Sequence, residues 1–454
     1  MKITNPYDDT LIDEIPDLIE QDVRSAIGRA DAVKAHVAGM TSHRRASILN
    51  RAAHLIEQDT DGLARLMALE SGKPMKYARG EVSRAVETFQ FAAEEARRLH
   101  GETIPLDAAK GGAGKFGYYV RVPVGIVGAI TPFNFPLNLV AHKVAPAIAA
   151  GCPIVLKPAP TTPLTALRLS EILQEAGLPA GGFEVVPGDK EVGEWLTTDP
   201  RVAMISFTGS PPVARAISQI AGLRRTTFEL GGNAAVVVDD TVDASSVVDK
   251  IVTGGYAYSG QVCISVQRVY VHRDQYEAFR TQFVERAARL KIGDPLQDST
   301  DLGPMITTQA AERIEQWVAE AVQQGASQLT DTKRTGRMLA PIALENVDDS
   351  MKVMSEEVFG PVVNLIPFDN YEQALEAVDN SKYGLQAGIF TRDLGRTLQA
   401  VERLNVGGVI INDVPTFRVD NMPYGGNKDS GVGREGPRFA IEDMTTLKMI
   451  VINA

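Results

Sequence analysis

Cys263 has the greatest capacity for covalent chemistry in this sequence, because a cysteine thiolate is a strong nucleophile. It lies in S-G-Q-V-C-I-S, residues 259–265, between the apolar residues Val262 and Ile264. A free cysteine among apolar neighbours is more often a packing residue, so its immediate surroundings leave both roles open. We interpret the other cysteine, Cys152 in A-A-G-C-P-I, as a packing residue.

Four short motifs bring polar groups to the ends of apolar, strand-like runs. They are T-P-F-N-F-P (131–136), L-K-P-A (156–159), F-T-G-S (207–210) and E-L-G-G (229–232). An open α/β sheet binds its ligands at the carboxyl ends of its strands. F-T-G-S also joins a strand to the N-terminus of a helix, which is a favourable place for an anion. We therefore expect a ligand site where these loops meet.

The elements that must position these motifs alternate between strand and helix. From about Val124, apolar runs alternate with helical stretches at 137–150 and 211–221, which predicts a parallel sheet covered on both faces. After about Gly255 a second series begins, with a helix at 274–290 and strands in V-V-N-L-I-P-F and G-G-V-I-I-N. The sequence thus predicts two α/β domains.

Several segments lie outside these two series. The spacing of apolar residues predicts amphipathic helices over 42–69 and 80–98. Thr162 is expected to cap the helix that follows it, with Pro at the first helical position. The segments 106–123 and 445–453 are β-rich, and we expect them to pair with each other or with a second subunit.

The composition disfavours several classes of protein. The chain has 454 residues, two cysteines, six histidines and a net charge of -11. Nucleic acids and anionic membranes attract basic surfaces, so we expect neither as a partner. We find no apolar leader, no uninterrupted run long enough to span a membrane and no disulfide framework, and we expect a cytoplasmic protein. The histidines and cysteines show no metal-ligand spacing.

Taken in order, the motifs resemble those of NAD(P)-dependent aldehyde dehydrogenases. The resemblance rests on seven blocks along the chain: P-F-N-F-P, K-P, F-T-G-S, E-L-G-G, G-Q-V-C, E-V-F-G-P-V and P-Y-G-G-N-K-D-S-G-V-G-R-E. It includes the interval of 34 residues from Glu229 to Cys263. It implies an α/β fold with a Rossmann-type cofactor domain (1–105 and 124–230), an α/β catalytic domain (231–436) and a small β oligomerisation segment (106–123 and 437–454).

The resemblance assigns the catalytic roles. Cys263 would attack the aldehyde carbon to give a thiohemiacetal and then a thioester. The side-chain amide of Asn134 and the backbone N–H of Cys263 would form the oxyanion hole. Glu229 would activate the water that hydrolyses the thioester, a role that suits a carboxylate whose pKa is raised by burial. Lys143 would act near this site through its charge and hydrogen bonds.

The resemblance also implies NAD or NADP as the cofactor. Lys157 would bind the adenosine ribose, Ser210 the pyrophosphate and Glu357 the nicotinamide ribose, with Phe359 against the ring. Pro160 stands three positions after Lys157, where many NAD-preferring members have an acidic residue, so NADP is not excluded. The other residues assigned to the cofactor are Thr131, Pro132, Phe133, Phe207, Gly209, Leu230 and Gly231.

The substrate region most resembles a subgroup that contains lactaldehyde dehydrogenases and enzymes for small anionic aldehydes. His142 and Asn138 stand where enzymes for aromatic or fatty aldehydes often have Trp and Leu, which favours a small polar substrate. Arg418 lies in a loop expected to line the substrate mouth, where a planar guanidinium could bind a carboxylate, phosphonate or sulfonate. The apolar walls would be Phe135, Val262, Ile264 and Phe417.

Other activities stay open at this stage. A non-phosphorylating glyceraldehyde-3-phosphate dehydrogenase would have arginines in place of Val262 and Gln90, so this activity ranks lower, beside a succinate-semialdehyde dehydrogenase. A CoA-acylating enzyme usually lacks the carboxylate at Glu229. An inactive binding protein would have no need of Asn134, Glu229 and Cys263 together. The family resemblance implies a homodimer or homotetramer.

Overall fold

The computed structural model describes residues 1–331 and 333–453. None of the helices in these ranges is both long and apolar enough to cross a membrane. The α-helices are α1 (Glu20–Gly39), α2 (Ser42–Gln58), α3 (Thr60–Ser71), α4 (Met75–Arg98), α5 (Asn138–Ala150), α6 (Leu164–Glu175), α7 (Lys190–Thr198), α8 (Pro211–Ala221), α9 (Val248–Tyr256), α10 (Arg273–Ala288), α11 (Thr308–Gln323), α12 (Lys352–Ser355), α13 (Tyr371–Asp379), α14 (Leu394–Arg403) and α15 (Pro437–Asp443).

The strands and short 3-10 turns fill the intervals between these helices. The 3-10 turns are Leu106–Ala108, Ala244–Val247 and Ala257–Gly260. The strands are β1 (Lys2–Thr4), β2 (Leu11–Glu14), β3 (Thr103–Ile104), β4 (Lys115–Pro123), β5 (Ile126–Ile130), β6 (Ile154–Lys157), β7 (Phe183–Val185), β8 (Val202–Thr208), β9 (Arg225–Glu229), β10 (Ala234–Val238), β11 (Val266–His272), β12 (Ser327–Gln328), β13 (Arg334–Thr335), β14 (Met338–Leu339), β15 (Ile342–Glu345), β16 (Val362–Phe368), β17 (Tyr383–Gly384), β18 (Gln386–Phe390), β19 (Gly408–Ile411), β20 (Asn427–Lys428), β21 (Gly431–Val432) and β22 (Thr445–Asn453).

The first large sheet has six strands in the order β21-β9-β8-β5-β6-β7. Its strands run parallel, except that β21 pairs antiparallel with β9. Both faces of the sheet are covered, since Val127 and Ala129 of β5 belong to one hydrophobic cluster and Ile126 to another. This burial on both faces explains why its strands are apolar runs rather than alternating ones, and it confirms the predicted α/β class.

The second large sheet has seven strands in the order β12-β15-β16-β11-β10-β18-β19. It is parallel except at its edge strand β12, which pairs antiparallel with β15. Val236 and Val238 of β10 face one hydrophobic cluster, whereas Ala235 and Val237 face another. The second series of strands and helices therefore forms a second α/β unit, as the sequence predicts.

A third sheet joins the two β-rich segments that the sequence set apart. β22 pairs antiparallel with β4 over its whole length, from Thr445 opposite Pro123 to Asn453 opposite Lys115, and β3 adds to the other edge of β4. The two segments thus pair with each other within one chain. Leu447, Met449 and Val451 leave an exposed apolar face on this sheet.

The sheets divide the chain differently from the predicted domains at one point. β21 lies within the range assigned to the catalytic domain, yet it extends the first sheet through Gly431 opposite Glu229 and Val432 opposite Phe228. The segment that contains G-V-G-R-E therefore returns to the strand that ends in E-L-G-G. This return brings the carboxyl-terminal motif next to Glu229.

The single helix predicted over 42–69 is in fact two helices. α2 ends and α3 begins around Asp59, whose φ of -99° and ψ of 26° depart from helical values. At this break the hydroxyl of Thr60 donates a hydrogen bond to the backbone carbonyl of Glu57, and such side-chain bonds compete with the helical ladder, whereas the Asp59 side chain makes no cap hydrogen bond. The periodicity of apolar residues continues across the break, so the periodicity does not show that one helix ends and another begins.

The predicted cap of α6 is also different. α6 begins at Leu164, and the hydroxyl of Thr162 has no hydrogen-bond partner among the described residues. The carboxylate of Glu70 instead accepts hydrogen bonds from the backbone N–H of Leu164 (2.8 Å) and of Thr165 (3.0 Å). A carboxylate from another helix thus replaces the local cap.

Candidate active site

A cavity of about 310 Å³ lies at the carboxyl end of the first sheet. Thr208 and Glu229, at the ends of β8 and β9, line it together with Asn134, Cys263 and Leu139. The predicted nucleophile, amide and carboxylate therefore meet at one place, although they are far apart in the chain. Eight residues assigned to the cofactor also line this cavity: Pro132, Phe133, Gly209, Ser210, Leu230, Gly231, Glu357 and Phe359.

Cys263 follows a strained turn. Tyr258 and Ser259 in the preceding 3-10 segment have φ values of 50° and 54°, in the left-handed region that non-glycine residues rarely adopt. Their hydroxyl groups donate hydrogen bonds to backbone carbonyls, which hold this conformation. Such strain persists where the surroundings fix the backbone, often at functional sites. The turn leaves Cys263 half-buried beside the cavity.

The thiol of Cys263 has one direct polar contact in the described residues. Its Sγ lies 3.1 Å from Oη of Tyr424. Burial raises the pKa of the Cys263 thiol to about 11, while the hydrogen bond with Tyr424 and the charge of Arg418 act in the opposite direction. Cys263 is therefore mainly a thiol at neutral pH.

Asn134 is held against the segment that carries the thiol. Its Nδ2 donates a hydrogen bond of 3.0 Å to the backbone carbonyl of Gln261, two residues before Cys263. Gln261 is itself buried, and its side chain bonds to the backbone at Pro304 and Ile306. An amide nitrogen has two hydrogens, so Asn134 keeps a second donor for another acceptor.

Glu229 is a buried carboxyl with unused hydrogen-bonding capacity. Neither of its oxygens has a hydrogen-bond partner in the described residues. A Cβ on Gly425 would lie 2.7 Å from its Oε1, so the carboxyl packs against the segment that carries Tyr424. Burial, together with the negative charge of Glu435, raises the pKa of Glu229 well above its ordinary value.

Lys143 and Arg418 flank a second buried carboxylate, Glu435. Nζ of Lys143 donates to Oε1 of Glu435 (3.1 Å) and to Oγ of Ser206 (3.0 Å), and Nη2 of Arg418 donates to Oε2 of Glu435 (3.1 Å). Burial alone would raise the pKa of Glu435, but the charges around it, led by Lys143, lower this pKa to about 2. Glu435 is therefore ionised while Glu229 holds its proton to higher pH.

Asp420 fixes the two polar residues predicted to face the substrate. Its Oδ1 accepts hydrogen bonds from Nε2 of His142 (2.7 Å) and Nδ2 of Asn138 (3.0 Å), and its two oxygens bind Arg84. Although burial opposes ionisation, the partners His142 and Arg84 hold the pKa of Asp420 far below its ordinary value. Burial and the nearby Arg418 lower the pKa of His142, so its ring is neutral.

A buried ion pair sets the start of α5, the helix that carries Asn138, His142 and Lys143. Oε1 of Glu81 accepts hydrogen bonds from the backbone N–H of Leu137 (2.9 Å) and Asn138 (3.0 Å). Lys73 pairs with the other oxygen of Glu81, and its Nζ lies 3.7 Å from the centre of the Phe135 ring. Phe135 is thus fixed by a cation at its face.

Glu357 closes the cavity on the side assigned to the cofactor. Its Oε1 accepts a hydrogen bond of 3.0 Å from the backbone N–H of Gly232, and burial raises its pKa to about 7. A Cβ on Gly231 would overlap this carboxylate, so the close approach requires glycine. The rings of Phe133 and Phe359 meet edge to face at 5.8 Å.

The other predicted cofactor residues lie outside the cavity lining. Lys157 is buried against α7, where its side chain would touch a Cβ on Gly193, and burial lowers its pKa to about 8. Pro160 lines a separate pocket near the N-terminus. Thr131 and Phe207 are buried at the ends of β5 and β8.

The predicted substrate residues have unequal exposure. Val262, Ile264 and Tyr424 belong to one apolar cluster around Cys263, as expected of a pocket wall. Phe417 is 46% exposed, whereas the Arg418 side chain is only 6% exposed, with its guanidinium 3.6 Å from the centre of the Tyr424 ring. Arg418 therefore lies buried against Tyr424 and Glu435 rather than at an open mouth.

Sequence reasoning missed Tyr424, Glu435 and Asp420. Tyr424 and Glu435 belong to P-Y-G-G-N-K-D-S-G-V-G-R-E, a block that carried the family resemblance, so a signal was present but no role followed from it. Asp420 carried no such signal, because its importance arises from partners on α4 and α5. Among the described residues, no cluster of His, Cys, Asp and Glu could hold a metal ion.

Comparison with known proteins gives matches along the whole chain. The model of the aldehyde dehydrogenase family matches residues 1–450. The 3-sulfolactaldehyde dehydrogenase of Priestia aryabhattai is 45% identical over 455 residues, covering 100% of this chain and 95% of that protein.

Two solved structures are also similar. Aldehyde dehydrogenase 21 from Physcomitrella patens, in complex with the reaction product succinate, has a TM-score of 0.97 and 42% identity, covering 100% of this chain and 95% of that chain. The glyceraldehyde-3-phosphate dehydrogenase GapN from Methanocaldococcus jannaschii, complexed with NADP, has a TM-score of 0.96 and 38% identity, covering 100% of this chain and 99% of that chain.

Proposed function

This chain belongs to the aldehyde dehydrogenase family and catalyses NAD(P)-dependent oxidation of an aldehyde, and on that premise we propose how its residues perform the reaction. Cys263 is the nucleophile, Asn134 and the N–H of Cys263 bind the oxyanion, and Glu229 activates the hydrolytic water. The substrate is a small aldehyde with an anionic end, which Arg418 binds. The observation that carries this substrate class is the buried guanidinium of Arg418, whose Nε has no partner among the described residues.

The first step is attack of the Cys263 thiolate on the carbonyl carbon. The S–C bond forms while the π electron pair of the carbonyl moves onto its oxygen. Asn134 supports this step because one of its amide hydrogens fixes the side chain on the carbonyl of Gln261 and the other is available to the oxyanion. Val262 and Ile264 keep the thiol in apolar surroundings, where such a hydrogen bond is stronger than in water.

The cavity residues fit NAD(P), which when bound accepts the hydride that leaves the aldehyde carbon. The carboxylate of Glu357, held by Gly232, is placed to accept from ribose hydroxyls. Ser210 is assigned to the pyrophosphate through its own hydroxyl and N–H, because Pro211 and Pro212 open α8 and have no N–H to donate. Lys157 is assigned to the adenosine ribose. Because burial lowers its pKa to about 8, its amino group can bind ribose hydroxyl groups as well as a phosphate.

Gly231→Ala tests the placement of Glu357. The added Cβ would overlap the Glu357 carboxylate, so we expect the affinity for NAD(P) to fall roughly tenfold, the cost of about one displaced charged hydrogen bond. Fluorescence titration with the reduced cofactor measures this affinity. Gly80→Ala is the matched control, since a Cβ there meets nothing within 4 Å. Equal affinities for the two variants would exclude this role of Glu357.

Hydrolysis of the thioester is assigned to Glu229. Its carboxyl is buried, has no protein hydrogen-bond partner in the described residues and packs beside the segment of Tyr424. A carboxylate taken out of water is a stronger base than a solvated one. Lys143 stabilises the ionised Glu435, whose charge raises the pKa of Glu229, while the charge of Lys143 itself acts in the opposite direction. The presence of Glu229 disfavours transfer of the acyl group to CoA, which turnover in the absence of CoA would test.

Buried cations near the thiol support an anionic substrate. Lys143 and Arg418 flank the ionised Glu435, and the positive charge of Arg418 acts on Cys263. Glu357 and Glu229 act on the same thiol with negative charge, so the case for an anionic substrate rests on Arg418 rather than on a net positive site. A buried charge gains from an oppositely charged, hydrogen-bonded partner.

Arg418 is the cation placed to meet that anion. Its Nη2 is used by Glu435, whereas its buried Nε has no partner among the described residues. Three relatives support an anionic substrate, because their descriptions name a sulfonated aldehyde, the dicarboxylate succinate and a phosphorylated aldehyde. We therefore rank sulfo-, carboxy- and phospho-substituted small aldehydes above neutral ones.

Arg418→Leu should discriminate against anionic aldehydes. Loss of a charge-assisted hydrogen bond is worth about 1.5–3 kcal/mol, so we expect the ratio of kcat/KM for succinic semialdehyde to that for butanal to fall by roughly 10- to 100-fold. The ratio cancels effects that Arg418 has on the thiol, since both substrates use the same thiol. A panel that adds lactaldehyde, glycolaldehyde, phosphonoacetaldehyde and glyceraldehyde-3-phosphate, with NAD and NADP, then identifies the preferred substrate.

Arg396→Leu is the matched control for this experiment. Arg396 pairs with Asp239 and Asp240, away from the cavity, so its loss should leave the substrate ratio unchanged. An Arg418→Leu variant that loses both activities in equal proportion would refute the anion-binding role and leave the oxidation itself intact.

A homo-oligomer is also part of this proposal. Leu447, Met449 and Val451 are exposed at alternate positions of β22 and so share one face of the sheet, while the paired residues Phe116 and Ile452 are exposed on the other face. Exposed apolar residues grouped on a sheet face are a frequent mark of protein contacts. Light scattering during gel filtration would count the subunits, and a monomer at micromolar concentration would contradict this part.

A further inference from the structure

Within the part of the chain that the structure describes, the hydroxyl of Tyr424 is hydrogen-bonded to the thiol of the proposed nucleophile. Oη of Tyr424 lies 3.1 Å from Sγ of Cys263, and the tyrosine side chain is almost completely buried. Its ring packs with Ile264 and Leu385, so the apolar residues around it fix the direction of the O–H group. No role in the reaction described above uses this hydroxyl.

Arg418 covers the face of the same ring. Its guanidinium lies 3.6 Å from the ring centre and is fixed from behind by Glu435. A cation at the face of an aromatic ring attracts the π electrons. This contact holds the ring in place and draws electron density away from the phenol oxygen, which makes the hydroxyl a better donor.

We propose that Tyr424 is a catalytic residue, whose hydroxyl donates a hydrogen bond to the Cys263 thiolate, and that Arg418 is the positioning residue for its ring. This inference rests on the proposed role of Cys263 as the nucleophile. While the thiol is protonated, either group can donate, but after its proton passes to water only the phenol can. The hydroxyl keeps its own proton when Sγ attacks the carbonyl carbon.

Other charged groups also act on the thiol. Glu229 at the end of β9 and Glu357 before β16 oppose its ionisation, whereas Arg418 favours it. Burial raises the pKa of the Tyr424 hydroxyl well above its ordinary value, so this group stays protonated wherever the thiolate forms. Among these neighbours, Tyr424 is the group in direct hydrogen-bonding contact with the sulfur. Its effect on the thiol can therefore be separated from the effects of the charged groups by one substitution.

Tyr424→Phe keeps the ring and removes the hydroxyl. We expect iodoacetamide to modify Cys263 about tenfold more slowly at every pH between 7 and 9, because loss of one hydrogen bond raises the thiol pKa by about one unit. Mass spectrometry should follow the modified peptide, so that Cys152 does not contribute. Tyr256→Phe is the matched control: its buried hydroxyl donates to the carbonyl of Ile342, away from the thiol, and its rates should equal those of the wild type.

A second measurement covers the case in which Tyr424→Phe does not fold. Replacing Tyr424 by 3-fluorotyrosine keeps the ring and hydroxyl but strengthens the donor, so modification of Cys263 should become faster at each pH. A rate in either variant that equals the wild-type rate would overturn the inference. This readout needs no aldehyde, so its failure is distinguishable from failure of the proposed function, which loss of Cys263 tests separately.

Discussion

Cys263→Ala should abolish aldehyde oxidation. We expect kcat/KM to fall by at least about four orders of magnitude, since removal of a covalent nucleophile costs up to roughly 10⁶ in rate in well-studied hydrolases. The reason is local: the S–C bond is the first covalent step, and Asn134 can stabilise an oxyanion only after that bond forms. Reduced cofactor formed per minute, with a saturating small aldehyde, measures the loss.

The variant should keep its fold and its cofactor site. Cys263 makes one polar side-chain contact in the described residues, with Tyr424, so alanine leaves no buried charge without a partner. Affinity for NAD(P) should remain within about threefold of the wild-type value, well under 1 kcal/mol. An unchanged thermal midpoint would show that the lost rate is a loss of chemistry.

Cys152→Ala is the matched control for the nucleophile. Cys152 is buried, its Sγ donates a hydrogen bond to the carbonyl of Met444, and burial raises its pKa to about 11. Its loss removes a packing thiol, so stability should fall modestly while kcat/KM stays near the wild-type value. Oxidation by Cys263→Ala at more than a few per cent of the wild-type rate would sink the proposed mechanism.

The fold class could be predicted from the sequence because strands that are buried on both faces are composed of apolar residues. β5, β6 and β10 are apolar runs since both sheet faces are covered, and these runs predicted two parallel α/β units. The loops at the strand ends predicted that Asn134 and Glu229 meet, and the family resemblance added Cys263; all three line one cavity. The family resemblance supplied their roles, which periodicity alone could not.

The sequence could not predict how the site is held, because its partners come from distant elements. Glu70 caps α6 and Glu81 caps α5 from other helices, so local cap rules selected Thr162 instead. Arg418 was expected at the substrate mouth, yet it is buried between Glu435 and Tyr424. Charges whose partners are 17 or more residues away leave no periodic signal.

Glu229→Gln should separate the two halves of the reaction. Attack and oxidation at Cys263 do not need the carboxylate, so we expect a rapid burst of reduced cofactor equal to the enzyme concentration. The steady state should then fall about 10²- to 10⁴-fold, the usual contribution of a general base. Rapid-mixing absorbance measures the burst, and intact mass should detect the acyl group on Cys263.

The rate of thioester hydrolysis should depend on the ionisation of Glu229. Burial and the negative charge of Glu435 raise the pKa of Glu229, so the active, ionised base is lost as pH falls through that raised value, well above the ordinary value of about 4.3. The wild-type rate of thioester hydrolysis should therefore rise with pH across this window. Glu229→Gln should lack that rise, because glutamine does not ionise.

Two further observations decide whether Glu229 acts on the thioester. Added hydroxylamine attacks thioesters without a general base, so it should restore turnover of Glu229→Gln and yield the hydroxamate. Glu94→Gln, which alters an exposed carboxylate paired with Arg98 on α4, should retain both the wild-type steady state and its pH profile. If Glu229→Gln lost the burst as well, the carboxylate would act at or before attack by Cys263, and its proposed place in hydrolysis would be wrong.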